Sequence, residues 1–223
     1  MDNKALYKLS YGLFVLTATD GQKDNGCIVN TAIQAASSPN TMSICLNKDN
    51  FTHDMIVKTK SFNVSVLSVN ATFDLFKHFG FQSGRDVNKF ADFNDFERAD
   101  NGVPYITRGT NACFSVRVDK CIDLGSHSMF IGEITDMKVL SDAPSATYEY
   151  YQNNIKPKAQ AVGKTPDGQT VWRCKICGYE YVGEELPDDF ICPVCKHPAS
   201  DFEKVTVPLK KWFKFLIIIE DAV

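Results

Sequence analysis

Four cysteines late in the chain, Cys174, Cys177, Cys192 and Cys195, stand as two CxxC pairs inside WRCKICGYEYVGEELPDDFICPVCKHP, residues 172–198. Thiolates are soft ligands, and two CxxC turns facing each other offer four of them in a tetrahedron, the geometry that zinc or a single iron atom takes. A segment this short has too little apolar volume to fold without such a staple. With iron, the centre has no open position for a substrate and passes one electron at a time. With zinc, the same cysteines only hold the segment together. The spacing alone leaves the metal open.

A second set of chemically capable residues lies upstream. NTAIQAASSP supplies Asn30, Thr31, Gln34, Ser37 and Ser38 at the end of a strand pattern, and NKDNFTH supplies Asn47, Lys48, Thr52 and His53 around a predicted helix start. Hydroxyls, amides and a cation beside a helix N-terminus favour an anion. Turn chemistry and capping use the same residue types. FGFQSGRDVNKF adds Ser83, Gly84, Arg85, Asp86 and Lys89. Arg85 and Lys89 fall one turn apart if a helix starts there, and a solvated charged face is the alternative. His127, in DLGSHSMFIGE, is either a hydrogen-bond donor at a site or a packed histidine at a strand end. The scattered Cys27, Cys45, Cys113 and Cys121 sit in strand patterns and read as small core residues.

The elements that must position these residues are mostly strands. LFVLTAT runs through the polar turn DGQKDNG into CIVNTAIQA, a hairpin signal. TMSICLN sets Met42, Ile44 and Leu46 on one face and Ser43, Cys45 and Asn47 on the other, and FNVSVLS alternates likewise through Phe62, Val64 and Val66. CFSVRVDKCIDLG and MFIGEITDMKVL are two further strand-like runs, so residues 12–140 predict antiparallel strands closing into a barrel. Two short helices interrupt them, HDMIVKTK capped by Thr52 and residues 71–79 stopped by Gly80. From 156 to 170 the composition turns to Pro, Gly, Lys and Gln, which marks a linker. The organisation read from the sequence is a first domain at 1–155, the linker at 156–170, a metal domain at 171–205 and a tail at 206–223. The tail, with KKWFKFLIII, is expected to pack as a strand or a dimer contact, a membrane-surface role being the alternative.

Composition excludes several classes. With 223 residues, 44% hydrophobic, and 16 Phe and 8 Tyr, the chain can build a real core. A net charge of -3 leaves no electrostatic footprint for nucleic acid. The longest apolar run, 215–219, is far short of the about 20 residues that span a bilayer, and MDNKALYKLSYG has no export pattern. The expectation is a cytoplasmic protein. No GxGxxG fingerprint is present, so a Rossmann dinucleotide site is not expected.

CKICGYEY, LPDDFICPVC and DFEKV resemble rubredoxin over about residues 171–205. That resemblance tips the metal to iron held by Cys174, Cys177, Cys192 and Cys195, with Gly178 in a left-handed turn and Trp172, Tyr179, Tyr181 and Phe190 as a small aromatic core. The gap between the pairs is short for a free-standing rubredoxin. Lys196 replaces a frequent glycine, which bears on the potential, and His197 is read as standing outside the ligand set.

NGCIVNTAIQAASSPNTMSICLNKDNFTHDMI, FGFQSGRDVNKF and DLGSHSMFIGEI, taken together, resemble the flavin reductase-like family across nearly all of residues 1–155. The resemblance implies FMN on a split β-barrel, usually in a homodimer, with the polar residues named above as its contacts and His127 near the flavin. The implied fold class is mainly β: a split barrel with short helices plus a small rubredoxin-like metal domain. The two halves together resemble the high-molecular-weight rubredoxins of anaerobic bacteria. That implies an oxidoreductase in which FMN takes a hydride from NAD(P)H and single electrons pass to iron and on to a flavodiiron protein that reduces oxygen or nitric oxide. The alternatives are a flavin or ferric reductase with a structural zinc domain, a redox carrier loaded by another reductase, or a binding protein without turnover.

Overall fold

The computed structural model describes residues 5, 8–156, 170–176, 178–193 and 197–205. It divides into two compact units, Met1–Lys156 and Pro157–Val223.

In the first unit, β1 (Phe14–Thr19), β2 (Asp24–Val29), β3 (Ile33–Ser37), β4 (Asn40–Asn47), β5 (Ser61–Leu67), β8 (Thr110–Asp123) and β9 (His127–Val139) form one sheet in the order β2-β1-β5-β8-β9-β4-β3. β6 (Phe96–Arg98) and β7 (Pro104–Ile106) make a separate hairpin. The sheet's two edges, β2 and β3, are consecutive in the chain. CIVNTAIQA is therefore not one strand, as its alternation suggests, but two strands on opposite edges joined by residues 30–32. This crossing closes the barrel through the chain instead of a ladder, which makes it split. Both pieces keep period-2 patterning because each is a strand in its own right, so the break leaves no mark in the pattern.

Alternation places the core as expected in β4, where Met42, Ile44 and Leu46 are buried. In β5 both faces are buried: Asn63 donates through Nδ2 to the Val103 carbonyl at 2.8 Å, and Ser65 Oγ accepts from the Ile106 amide at 2.9 Å. The β6–β7 hairpin covers what the sequence offers as a solvent face, and polar side chains remain there because each finds a backbone partner.

Helix α1 (Phe51–Thr59) buries Thr52, His53, Met55 and Ile56, one stripe at helical spacing, against Leu16, Ile44, Phe62 and Phe130. Its N-cap is Asn50, whose side chain accepts from the Thr52 amide at 3.0 Å, and not Thr52 itself. Thr52 lies inside the first turn with its side chain buried, so it cannot also cap. The helix stops at Lys60, in the left-handed region at φ 58°. Helix α2 (Phe73–Gly80) starts two residues later than the sequence suggests and includes Gly80 as its last residue. Its Leu75, Phe76 and Phe79 pack with Leu13, Val15, Leu67 and Phe93 in a second cluster. Residues 81–95 follow as turns, so Arg85 and Lys89 do not share a helical face.

The second unit holds β10 (Val171–Cys174), β11 (Glu180–Val182) and β12 (Phe202–Val205) in the order β11-β10-β12. Phe190 is the centre of its aromatic packing, with ring centroids 4.8 Å from Tyr181, 5.3 Å from Phe202 and 6.5 Å from Tyr179. Trp172 stands apart, half-buried, donating to the Gly183 carbonyl at 3.1 Å. The linker positions 157–169 and the tail 206–223 lie outside the described residues. No helix among the described residues is long and apolar enough to cross a membrane.

Candidate functional site

The outward face of β4 carries Ser43, Cys45 and Asn47, and its neighbours in register set the site. Cys45 lies opposite Met129 and Asn47 opposite His127. Thr31, in the crossing between the barrel edges, donates through Oγ1 to the Cys45 carbonyl at 2.8 Å and accepts from the Cys45 amide at 3.2 Å. Asn30, Thr31, Asn47 and His127 are thus brought to one end of the β3–β4–β9 surface, with Cys45 among them. The Lys48 amide donates to the Ser126 carbonyl at 3.1 Å, and Lys48 Nζ pairs with Asp123 at 2.6 Å. These contacts tie the β8–β9 turn to the turn before α1. The Lys48 bond holds the Asp123 carboxyl below its usual range. His127 Nδ1 lies 2.9 Å from Ser126 Oγ.

Gln34, Ser37 and Ser38 run the other way. β3 is exposed along its whole length, and Ser37 pairs with Asn40, five residues of β4 from Cys45. At about 3.4 Å per residue that is roughly 17 Å along the strand. These side chains line the same edge but do not join the Asn47–His127 cluster. As an edge strand, β3 also turns alternate backbone N–H and C=O groups away from β4, with no strand beyond them among the described residues.

The start of α1 also meets the segment after α2. Arg85 donates to Asp54 at 2.7 Å and lies 5.2 Å from the Phe51 ring centroid, and Lys23 Nζ lies 5.4 Å from the same centroid. The Arg85 bond holds the Asp54 carboxyl below its ordinary value. The Ser83 hydroxyl accepts from the Arg85 amide at 3.1 Å. Gly84 is pressed onto Asn25: a Cβ there would come 2.1 Å from Asn25 Oδ1, an atom with no hydrogen-bond partner among the described residues. Asn50 already holds the Thr52 and His53 amides, the latter through its carbonyl at 2.9 Å. An anion at this helix end would rely mainly on side chains.

Three candidates are internal. Thr52 is fully buried and accepts from Asn25 Nδ2 at 2.9 Å. His53 places Nε2 2.9 Å from Ser128 Oγ and meets the Phe130 ring edge-on at 5.4 Å. Lys89, only 3% exposed, donates through Nζ to the Gly26 and Phe79 carbonyls, each at 2.8 Å. Burial pushes its ammonium down to about 8.

Of the four scattered cysteines, Cys27 and Cys113 are core residues as expected. Cys121 is exposed and Cys45 is half-buried on the site surface, which corrects the reading of both. Desolvation pushes the Cys45 thiol up, so it stays protonated at neutral pH. The signal for Cys45 was present: alternation in TMSICLN puts it with Ser43 and Asn47, opposite the core residues. Asn25 and Phe51 carried no comparable signal, because their roles depend on contacts with residues 84 and 85.

In the second unit, Cys174 is 1% exposed and Cys192 0%. The Cys174 amide donates to the Tyr179 carbonyl at 2.8 Å, and the Gly178 amide, at φ 80°, donates to the Cys174 carbonyl at 2.9 Å. The second knuckle closes with the Cys192 amide donating to the His197 carbonyl at 2.8 Å. Gly178 occupies the left-handed position that the sequence predicts. Cys177, Cys195 and Lys196 lie outside the described residues. The described part of the donor set is two buried thiols, each in a tight knuckle, which fits a metal held by sulfur alone. The first unit fits a flavin: it joins an open strand edge, hydroxyl and amide side chains, and the cations Lys48 and Arg85.

The comparisons agree with this geometry. The flavin reductase like domain family matches residues 6–159, and the rubrerythrin, rubredoxin-like domain matches 172–203. The chain belongs to the flavin reductase-like family, carries a C-terminal rubredoxin-like domain, and is an oxidoreductase. A high molecular weight rubredoxin of Moorella thermoacetica is 35% identical to it, over 92% of this chain and 100% of the relative. A ferric-chelate reductase (NAD(P)H) of Archaeoglobus fulgidus is 37% identical over 77% of this chain and 98% of the relative. The solved structure of the NADH:FAD oxidoreductase SgcE6 of Streptomyces globisporus, 22% identical, matches with a TM-score of 0.57 over 64% of this chain and 84% of that one, which shows the shared fold.

Proposed function

We propose that this protein takes a hydride from NAD(P)H at an FMN-binding barrel and delivers single electrons to an iron centre in the same chain. From there they pass to a flavodiiron-type protein that reduces oxygen or nitric oxide. The observation that carries this reading is the pairing, in one chain, of a flavin reductase barrel with a rubredoxin-like module whose described cysteines are buried in closed knuckles. FMN, when bound, supplies the conversion of a two-electron hydride to single electrons, and iron in four thiolates carries one electron.

The protein's own residues do the positioning. Asn30, Thr31, Asn47 and the open β3 edge with Gln34, Ser37 and Ser38 supply hydrogen bonds to the flavin, and Lys48, Ser83 and Arg85 favour its phosphate. His127 stands at the open end of the surface, where it orients the nicotinamide. Thr52, His53 and Gly84 hold the walls. Cys174, Cys177, Cys192 and Cys195 hold the iron.

An apolar row continues outward from the site. Ile33 is 65% exposed and Ile122 43%, with Met129 and Ile131 between them on the same face. A second copy of the FMN domain covers this row in our reading, placing Thr31 and Cys45 at the edge of a homodimer contact. We place the protein in the cytoplasm, where thiolates stay reduced.

A second reading is supported by the ferric-chelate reductase relative: a flavin or ferric reductase whose C-terminal module binds structural zinc. Metal and chromophore analysis of the purified protein separates the two. One iron and one FMN per chain support relay, and zinc in place of iron supports the second reading.

A further inference from the structure

Lys89 looks, in sequence, like a second phosphate ligand one turn from Arg85. Its placement assigns it another task. The ammonium is buried and spends two donors on the Gly26 carbonyl of β2 and the Phe79 carbonyl at the end of α2. Its own carbonyl accepts from His78 Nε2 at 2.6 Å, and the following Phe90 and Phe93 pack on Phe79 at 5.7 and 5.1 Å. Gly26, where Lys89 is fastened, adjoins Asn25, on which Gly84 rests. Lys23, two residues before Asn25, donates to the Gly84 carbonyl. β2 and the Lys23 before it therefore grip the segment at Gly84 and at Lys89, and between the grips Arg85 is held against Phe51 and Asp54.

We propose that Lys89 is a positioning residue: it staples the 83–89 segment between β2 and α2, and so fixes Arg85 at the start of α1 without touching the flavin phosphate. This rests on the reading that FMN binds the barrel with Arg85 at its phosphate. A buried ammonium that pulls two carbonyls together sets backbone position, while a phosphate ligand must present its charge at a surface.

The test is a double-mutant cycle in the full-length protein, with Lys89→Met, Arg85→Met and the double variant, reading dissociation constants for FMN and for riboflavin by flavin fluorescence. Amide exchange of residues 83–88 is measured alongside in flavin-free protein. If Lys89 acts through Arg85, each single variant weakens FMN about tenfold and the double variant little more, because coupled residues are not additive. Riboflavin, lacking the phosphate, keeps its affinity, and exchange rises in 83–88 while α1 and β4 stay protected. Additive losses in the cycle overturn the proposal, since Lys89 would then contact FMN itself. Equal losses for FMN and riboflavin with faster exchange throughout overturn it as well, in favour of a general folding role. Should Lys89→Met not fold, Lys89→Gln, whose amide can donate to one of the two carbonyls, takes its place in the cycle, with the same outcomes. Wild-type protein that binds neither flavin overturns the FMN reading itself, a failure distinct from additivity.

Discussion

Thr31 and Cys45 are joined by a pair of hydrogen bonds through one hydroxyl, which donates to the Cys45 carbonyl at 2.8 Å and accepts from the Cys45 amide at 3.2 Å. The side chain does here what a strand partner does elsewhere: it seats the crossing at 30–32 on β4 where the ladder to β3 has not yet begun. The same contact lays the crossing beside the outward face that carries Asn47, opposite His127.

Replacing that hydroxyl tests its weight. Thr31→Val keeps the shape and leaves both backbone groups of Cys45 without their partner, which costs about 1–3 kcal/mol. Thr31→Ser keeps most of the stability. The midpoint of urea unfolding reads the difference, and flavin affinity falls with Thr31→Val in the same preparation.

Gly84 is required by space, not by backbone angle. Gly84→Ala drives a methyl to 2.1 Å from Asn25 Oδ1, and overpacking of this kind costs about 1–3 kcal/mol. Asn25→Ala in the same chain relieves the clash, so the double variant is more stable than the sum of the single losses predicts. Additive losses would remove the contact from the account.

Lys89 gives a pH dependence of definite sign. Its folded value, lowered from 10.5 to about 8, means that the unfolded chain binds the proton more tightly between those values. The group therefore opposes folding below pH 8, and its penalty fades as pH rises toward 10.5. Relative to Lys89→Met, the wild type gains stability across that window, by up to about 3 kcal/mol. Urea unfolding of both proteins at several pH values checks the slope, and a difference that falls with rising pH would contradict it.

Cys192 is fully buried, and on the proposed function its value lies in the metal. Cys192→Ser removes the metal and unfolds residues 170–205, while residues 8–156 keep their fold and their flavin, because the two compact units have separate cores. Metal content and amide exchange, taken together, show whether the loss stays in one unit.

Much of this was legible in the sequence, for reasons of period and spacing. The two CxxC pairs point to the rubredoxin-like domain that matches residues 172–203, and alternation through Met42, Ile44 and Leu46 states a half-buried strand. What alternation could not state is where a strand changes edges, since residues on both sides of Thr31 keep the same rhythm. Asn50 and Thr52 are both capping types two positions apart, and only the fold decides between them. Arg85 and Lys89 match as a pair in spacing. Their separation into a surface cation and an internal one comes from Gly26 and Phe79, far away in the chain.

On the proposed function, reducing equivalents enter the barrel in pairs and leave singly through the cysteine-held metal. An anaerobic titration of the purified protein with NADH, and separately with NADPH, follows this route in the flavin and iron absorption bands together. Both bands are expected to bleach, each hydride equivalent accounting for two electrons shared between flavin and iron. A flavin band that bleaches while the iron band stays oxidised would rule the relay out.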